Sequence, residues 1–190
     1  MDTASIDDVI TRYGTSNVYV FTRDGKWQNR TFGGKGSENG KFNNCHGIGM
    51  DPRTGHVVVA DRENHRIQFF EIDEETGTKF DWVQTMPATW GKQNGTQRPC
   101  NFRVIENASN AAMDGMAVIA DLGADDQTKP GARGQVAILD KGNNVVSVIA
   151  VSDLLGWKGS VHPHDSHFLS NGDIVVATWK PGTISYWKKL

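Results

Sequence analysis

His46 and His164 are the two side chains in this sequence best suited to metal or proton chemistry. They lie 118 residues apart. Each stands at the head of a strand-like run, His46-Gly47-Ile48-Gly49-Met50 and Asp165-Ser166-His167-Phe168-Leu169. Neutral imidazole is the commonest side-chain metal ligand, and it exchanges protons near neutral pH. An isolated histidine is otherwise an ordinary polar surface residue. His162 and His167 flank the later histidine and read as non-ligands, although His162 could complete a two-histidine site. Arg62 follows Asp61 at a strand end. There it can grip a carboxylate with two parallel hydrogen bonds, or stabilise its own turn by pairing with Asp61 or Glu63. Asp165 offers a hard oxygen of the kind calcium gathers in groups of about six to eight.

Other constellations fail on spacing. His164, Asp165 and Ser166 are consecutive, so their side chains diverge along a strand and form no catalytic triad. Gly34-Lys35-Gly36 precedes no helix and is neither a dinucleotide nor a phosphate loop. Asp121, Asp125 and Asp126 lack calcium-loop spacing, and Asp61 and Asp121 read as turn residues bonding their own backbone. Trp82 and Trp187 occupy strand positions and are expected to pack between sheets. Cys45 and Cys100 are open to pairing or to remaining free.

The elements that must position these residues are short strands. Four groups recur. The first is 8–13, 17–21 and 26–32. The second is 46–50, 56–61, 66–72 and 82–86. The third is 102–106, 116–121, 135–140 and 145–149. The fourth is 165–169, 173–178 and 183–187. Each reads as an antiparallel meander of up to four strands. The second strands expose the repeat: Val58-Val59-Ala60-Asp61, Val118-Ile119-Ala120-Asp121 and Val175-Val176-Ala177-Thr178. Gly- and Asn-rich loops at 33–45, 91–101 and 122–134 fill the spaces. Repeated four-strand order favours a β-propeller over a sandwich.

Composition agrees and excludes much else. The 190 residues suffice for about one domain. Lys and Arg total 20 against 22 Asp and Glu, a net charge of −2, with pI near 6.3. That gives no basic footprint for nucleic acid. Mean hydropathy is −0.48, and no run approaches the ~18 apolar residues of a membrane span. Met1 to Asp8 lack a basic and an apolar region, so no signal peptide is visible there. A secreted or periplasmic location is expected only if an upstream leader exists.

Gly33-Gly34-Lys35-Gly36-Ser37-Glu38-Asn39-Gly40-Lys41-Phe42, then His46 to Pro52, then Val58-Val59-Ala60-Asp61-Arg62-Glu63-Asn64-His65-Arg66-Ile67-Gln68-Phe69-Phe70, resembles an NHL repeat. Among NHL propellers the chain is most similar to the peptidyl-α-hydroxyglycine α-amidating lyases. Ala60-Asp61-Arg62-Glu63-Asn64, Arg66-Ile67-Gln68, Pro163-His164-Asp165 and Tyr13, eight residues before Phe21, carry that likeness. The resemblance implies one partial propeller over 1–190, with three to four blades (1–33, 34–88, 89–150, 151–190) of a six-bladed ring. It implies a zinc-dependent lyase that splits a C-terminal peptidyl-α-hydroxyglycine into peptide amide and glyoxylate. Zinc would be held by His46, His164 and a third histidine upstream. Tyr13 would be the base, Arg62 a substrate-positioning arginine, and Asp165 a ligand of structural calcium. The sequence departs from the animal lyases at Gly14, Val58 and Phe69, where cysteines are expected, and at His162, where a methionine is usual. The alternative is a non-catalytic NHL scaffold that binds a protein or other ligand.

The first group is read as lacking its opening, inner strand and the fourth its outer strand. The expected consequence is self-association through open blade faces, bearing Val18, Val20 and Phe21 at one end and Ile174, Val176 and Trp187 at the other.

Overall fold

The computed structural model of the protein describes residues 8–11, 15–22, 24–73, 79–90, 97–123, 133–156 and 161–189. It is an all-β partial propeller of four antiparallel sheets. The first contains β1 (Asp8–Thr11), β2 (Asn17–Phe21) and β3 (Trp27–Gly33). The second contains β4 (Cys45–Asp51), β5 (His56–Asp61), β6 (Arg66–Ile72) and β7 (Phe80–Pro87). The third contains β8 (Arg103–Val104), β9 (Ala117–Gly123), β10 (Arg133–Leu139) and β11 (Val145–Ile149). The fourth contains β12 (His162–Phe168), β13 (Ile174–Lys180) and β14 (Thr183–Trp187). Strands follow chain order within every sheet, so each is a meander. Helical structure among the described residues is confined to one turn, α1 (Val151–Leu154), and a 3-10 turn at Arg62–Asn64. No helix is long and apolar enough to cross a membrane.

Alternating side chains on each strand feed three separate cores between successive sheets. Val57 and Val59 of β5 join Val18, Phe42, Cys45 and Phe70 between the first and second sheets. Phe32 of β3 stacks on Phe80 of β7 there, with ring centroids 4.3 Å apart. Val58 and Ala60, one residue out of phase, face Phe102, Ile119 and Leu139 between the second and third sheets. Val118 and Val136 face the other way, onto Val161, Phe168, Ile174 and Val176 of the fourth. The unbroken apolar runs seen in the sequence therefore come from strands buried on both faces.

The first strands of successive sheets touch: β1 lies against β4, β4 against β8, and β8 against β12. This corrects the expectation for the first group. β1 holds the inner position, and among the described residues no strand pairs with the outer edge of β3. Val18, Val20, Ile174 and Val176 are also corrected. All four are buried, and Val18, Ile174 and Val176 lie within inter-sheet cores, because the covered face of each terminal sheet carries them. The open faces carry their neighbours instead. Trp187 packs partly into a core, whereas Trp82 is 41% exposed on the outer strand β7. Cys45 and Cys100 are both free and buried.

Two glycines permit close approach between successive sheets. A Cβ on Gly47 would stand 2.2 Å from the Cys100 carbonyl oxygen. One on Gly134 would meet Pro163 at 2.3 Å and the Val161 carbonyl at 2.6 Å.

Candidate functional site

Buried aspartates at the ends of β5 and β9 hold the chain segments that lead into the inner strands. Asp61 accepts the Asn43 backbone N–H at 2.7 Å and side-chain bonds from Asn64, Arg66 and Gln68. Asp121 accepts the Arg98 backbone N–H at 2.8 Å, the Gly123 N–H, and side-chain bonds from Trp90 and Gln135. The same device recurs in two sheets, and it reaches beyond the local turn expected from sequence. It fixes the approach to His46, three residues after Asn43, and to Cys100, two residues after Arg98.

His46 projects from β4 and His164 from β12. Their Nε2 atoms lie 3.1 Å apart, with ring centroids 4.4 Å apart and planes at 73°. His46 Nδ1 is 2.9 Å from the Cys100 carbonyl oxygen. A carbonyl only accepts, so Nδ1 carries the proton and Nε2 of the neutral ring presents its lone pair toward His164. Burial, reinforced by the adjoining His164 and by Arg62, pushes His46 down to about 4. Burial and Arg62 also lower His164, against the charge of Asp165. Both rings are therefore neutral bases at pH 7, the state in which imidazole binds a metal.

Two nitrogens held at ~2.0–2.1 Å by one tetrahedral zinc would lie about 3.3 Å apart; the observed 3.1 Å is also the span of a direct hydrogen bond between the two rings. Among the described residues no group of three or more His, Cys, Asp or Glu converges, so the described donors number two.

Arg62 sits in the 3-10 turn with its guanidinium near both histidines, where its charge disfavours their protonation. Its Nε donates to Glu63 Oε1 at 2.8 Å. Glu63, one of the two turn partners considered from sequence, is bonded to it, and Asp61 pairs with Arg66 at 2.6 Å. Arg98 Nη2 donates to the same Glu63 oxygen at 2.9 Å. Two guanidiniums thus share one carboxylate oxygen. Asp165 is exposed; its Oδ1 accepts from Asn101 and from the Ser166 backbone N–H. His162 lies beside Trp179, with ring centroids 5.4 Å apart. Tyr13 lies outside the described residues. Ser16, three residues later, accepts the Asn44 N–H through its hydroxyl at 3.2 Å, two residues before His46.

Sequence reasoning missed the Cys100 carbonyl, Arg98, Asn101 and Trp179. A backbone carbonyl leaves no side-chain signal. Arg98 and Asn101 come from a loop without periodicity, and Trp179 resembles any strand aromatic.

Residues 42–70 match the NHL repeat family. Two solved structures are similar across nearly the whole chain. One is a Bacteroides uniformis ATCC 8492 protein provisionally assigned as a 6-phosphogluconolactonase: TM-score 0.57, 12% identity, covering 94% of this chain and 55% of that one. The other is a Lactobacillus plantarum protein: TM-score 0.59, 12% identity, covering 95% and 50%. The chain spans about half the length of these structures. At such identity the likeness shows the fold alone. No curated protein matches the sequence.

Proposed function

We propose that this NHL propeller carries a zinc site at His46 and His164, and that in the ring-complete protein the site serves peptidyl-α-hydroxyglycine cleavage. The observation that carries the reading is the 3.1 Å approach of two Nε2 atoms from separate sheets, one of them fixed in tautomer by the Cys100 carbonyl. Zinc, when bound, would polarise the substrate hydroxyl and lower its pKa. Arg62 would orient the carboxylate end through its forked donors. Tyr13 would take the hydroxyl proton. A free phenol has a pKa near ~10, so a nearby zinc ion or arginine is needed to favour the phenolate. As the carbonyl of glyoxylate forms, the C–N bond breaks with its electron pair on nitrogen. Protonation there yields the peptide amide.

The second reading is a non-catalytic scaffold. The presence of only two histidine donors among the described residues favours it. Glyoxylate release from a peptidyl-α-hydroxyglycine separates the two. The ring-complete protein is expected to release glyoxylate, and Tyr13→Phe to lower kcat about 100-fold or more with little change in KM. The 190-residue chain alone is expected to show little activity. Zinc uptake without glyoxylate release from the complete ring would favour the scaffold.

A further inference from the structure

The third sheet stands between the two sheets that carry the histidines, and it meets both strands through one dipeptide. In all three sheets a residue of the inner segment pairs with the end of the second strand: Cys45 with Asp61, Pro99 with Asp121 and Pro163 with Thr178. The residues that follow are His46, Cys100 and His164. Ladder register breaks at both histidines, between Cys45 and Ile48 and between Pro163 and Asp165. Such irregularities re-aim a side chain and interrupt the ladder around it. The direction of each ring therefore depends on what holds its strand from a neighbouring sheet.

Cys100 and Asn101 supply that hold. The Cys100 N–H donates to the Ala120 carbonyl at 2.8 Å, and Asn101 Oδ1 accepts the Ala120 N–H at 2.8 Å. The dipeptide is thereby fixed to β9 at two points. Toward the second sheet, the Cys100 carbonyl accepts from His46 Nδ1 at 2.9 Å. Toward the fourth, Asn101 Nδ2 donates to the Asp165 carboxylate and to the Ser166 carbonyl, the latter at 3.1 Å. Those are the two residues that follow His164. Asn101 is 2% exposed, and both of its side-chain polar atoms are bonded. A buried, satisfied amide of this kind favours one arrangement, and removing it leaves buried groups unpaired.

We propose that Asn101 is a positioning residue for the histidine pair: it ties β12 and the Cys100 carbonyl to β9 and so sets the 3.1 Å approach of the two Nε2 atoms. Its bearing on function rests on the reading of His46 and His164 as a zinc site.

The test uses the whole 190-residue chain, first metal-free and then titrated with zinc alone. In metal-free protein the nuclear Overhauser effect between the ring protons of His46 and His164 reports their approach. The Nδ1–H resonance of His46 reports the Cys100 contact. Asn101→Ala is expected to weaken the first signal, to lose the second to exchange and to lower zinc affinity about 10-fold or more. Asn101→Asp sets two carboxylates against each other and should do the same. Combining it with Asp165→Asn restores an amide–carboxylate pair of reversed sense and should recover most of both signals. Circular dichroism checks the fold of every variant. If Asn101→Ala does not fold, Asp165→Ala, which removes the acceptor at an exposed position, should weaken the ring-proton signal in its place. No ring-proton signal in the parent, both signals unchanged in a folded Asn101→Ala or in Asp165→Ala, or no recovery in the reversed pair overturns the proposal. A parent that takes up no zinc removes the metal reading, while the two metal-free signals still decide the role of Asn101.

Discussion

β9 and β13 are built from nearly the same residues, Val118-Ile119-Ala120-Asp121 against Val175-Val176-Ala177-Thr178, yet their surroundings differ. All seven residues of β9 are buried, whereas β13 alternates buried and partly exposed positions and ends in the open. Among the described residues the third sheet has neighbours on both faces and the fourth has one, and Ile184 and Tyr186 of β14 are 78% and 52% exposed. At the other end, Val18 and Val20 of β2 are buried while Trp27 of β3 faces solvent. In a repeat array, burial is therefore set by what stands beside a sheet as much as by its own residues. The histidine pair crosses this divide: His46 belongs to a sheet covered on both faces, His164 to one covered on a single face.

Substituting the same residue type in both environments should give the largest contrast. Ile119→Ala deletes a fully buried side chain and is expected to destabilise the protein by about 2–5 kcal/mol. Ile184→Ala on the open face should stay within about 0.5 kcal/mol. Urea unfolding measures both, and equal losses would erase the distinction between the middle and terminal sheets.

A second effect concerns the open faces themselves. Exposed apolar sheet surface and unpaired strand edges promote association. Light scattering over a concentration series is expected to give a mass above the 20.9 kDa of one chain, and Ile184→Glu to reduce it. A sharply melting monomer at high concentration would mean that these faces need no cover.

The smallest expected effect lies inside the covered half. Burial raises the Glu63 carboxyl, but the hydrogen bond and charge of Arg98, with Arg62, hold it below its ordinary value. A lowered folded pKa contributes stability above the unfolded value, near 4.5, that is lost as pH falls through the folded one. Partial exposure limits this to under about 1 kcal/mol. The stability gap between the parent and Glu63→Gln should be present at pH 7 and shrink below pH ~4. A pH-independent gap would mean that the charge of Glu63 contributes nothing.

Much of the array was legible in the sequence because apolar runs and turn residues mark β5, β9 and β13 within a few residues. β8 was harder. Expected over 102–106, it narrows to Arg103–Val104, although Cys100 N–H to the Ala120 carbonyl and Ile105 N–H to the Met116 carbonyl continue the pairing on either side. The terminal faces were assigned with the wrong parity, since alternation says that two faces differ and not which one a neighbour will cover. Trp82 misled for a related reason: on an outermost strand an aromatic has less to pack against. For the site, strand-head position and spacing brought His46 and His164 forward, but the carbonyl that orients His46 and the partner shared by Arg62 and Arg98 arise only when three sheets meet.

The central claim is that His46 and His164 form one metal centre, and zinc content after equilibration and dialysis tests it most directly. The parent is expected to retain about one zinc per chain, bound more weakly than at a complete three-histidine site. His46→Ala and His164→Ala should each lose it, while His167→Ala, an exposed histidine on the same strand as His164, should retain it. Equal zinc in the parent, His46→Ala and His164→Ala would contradict the account.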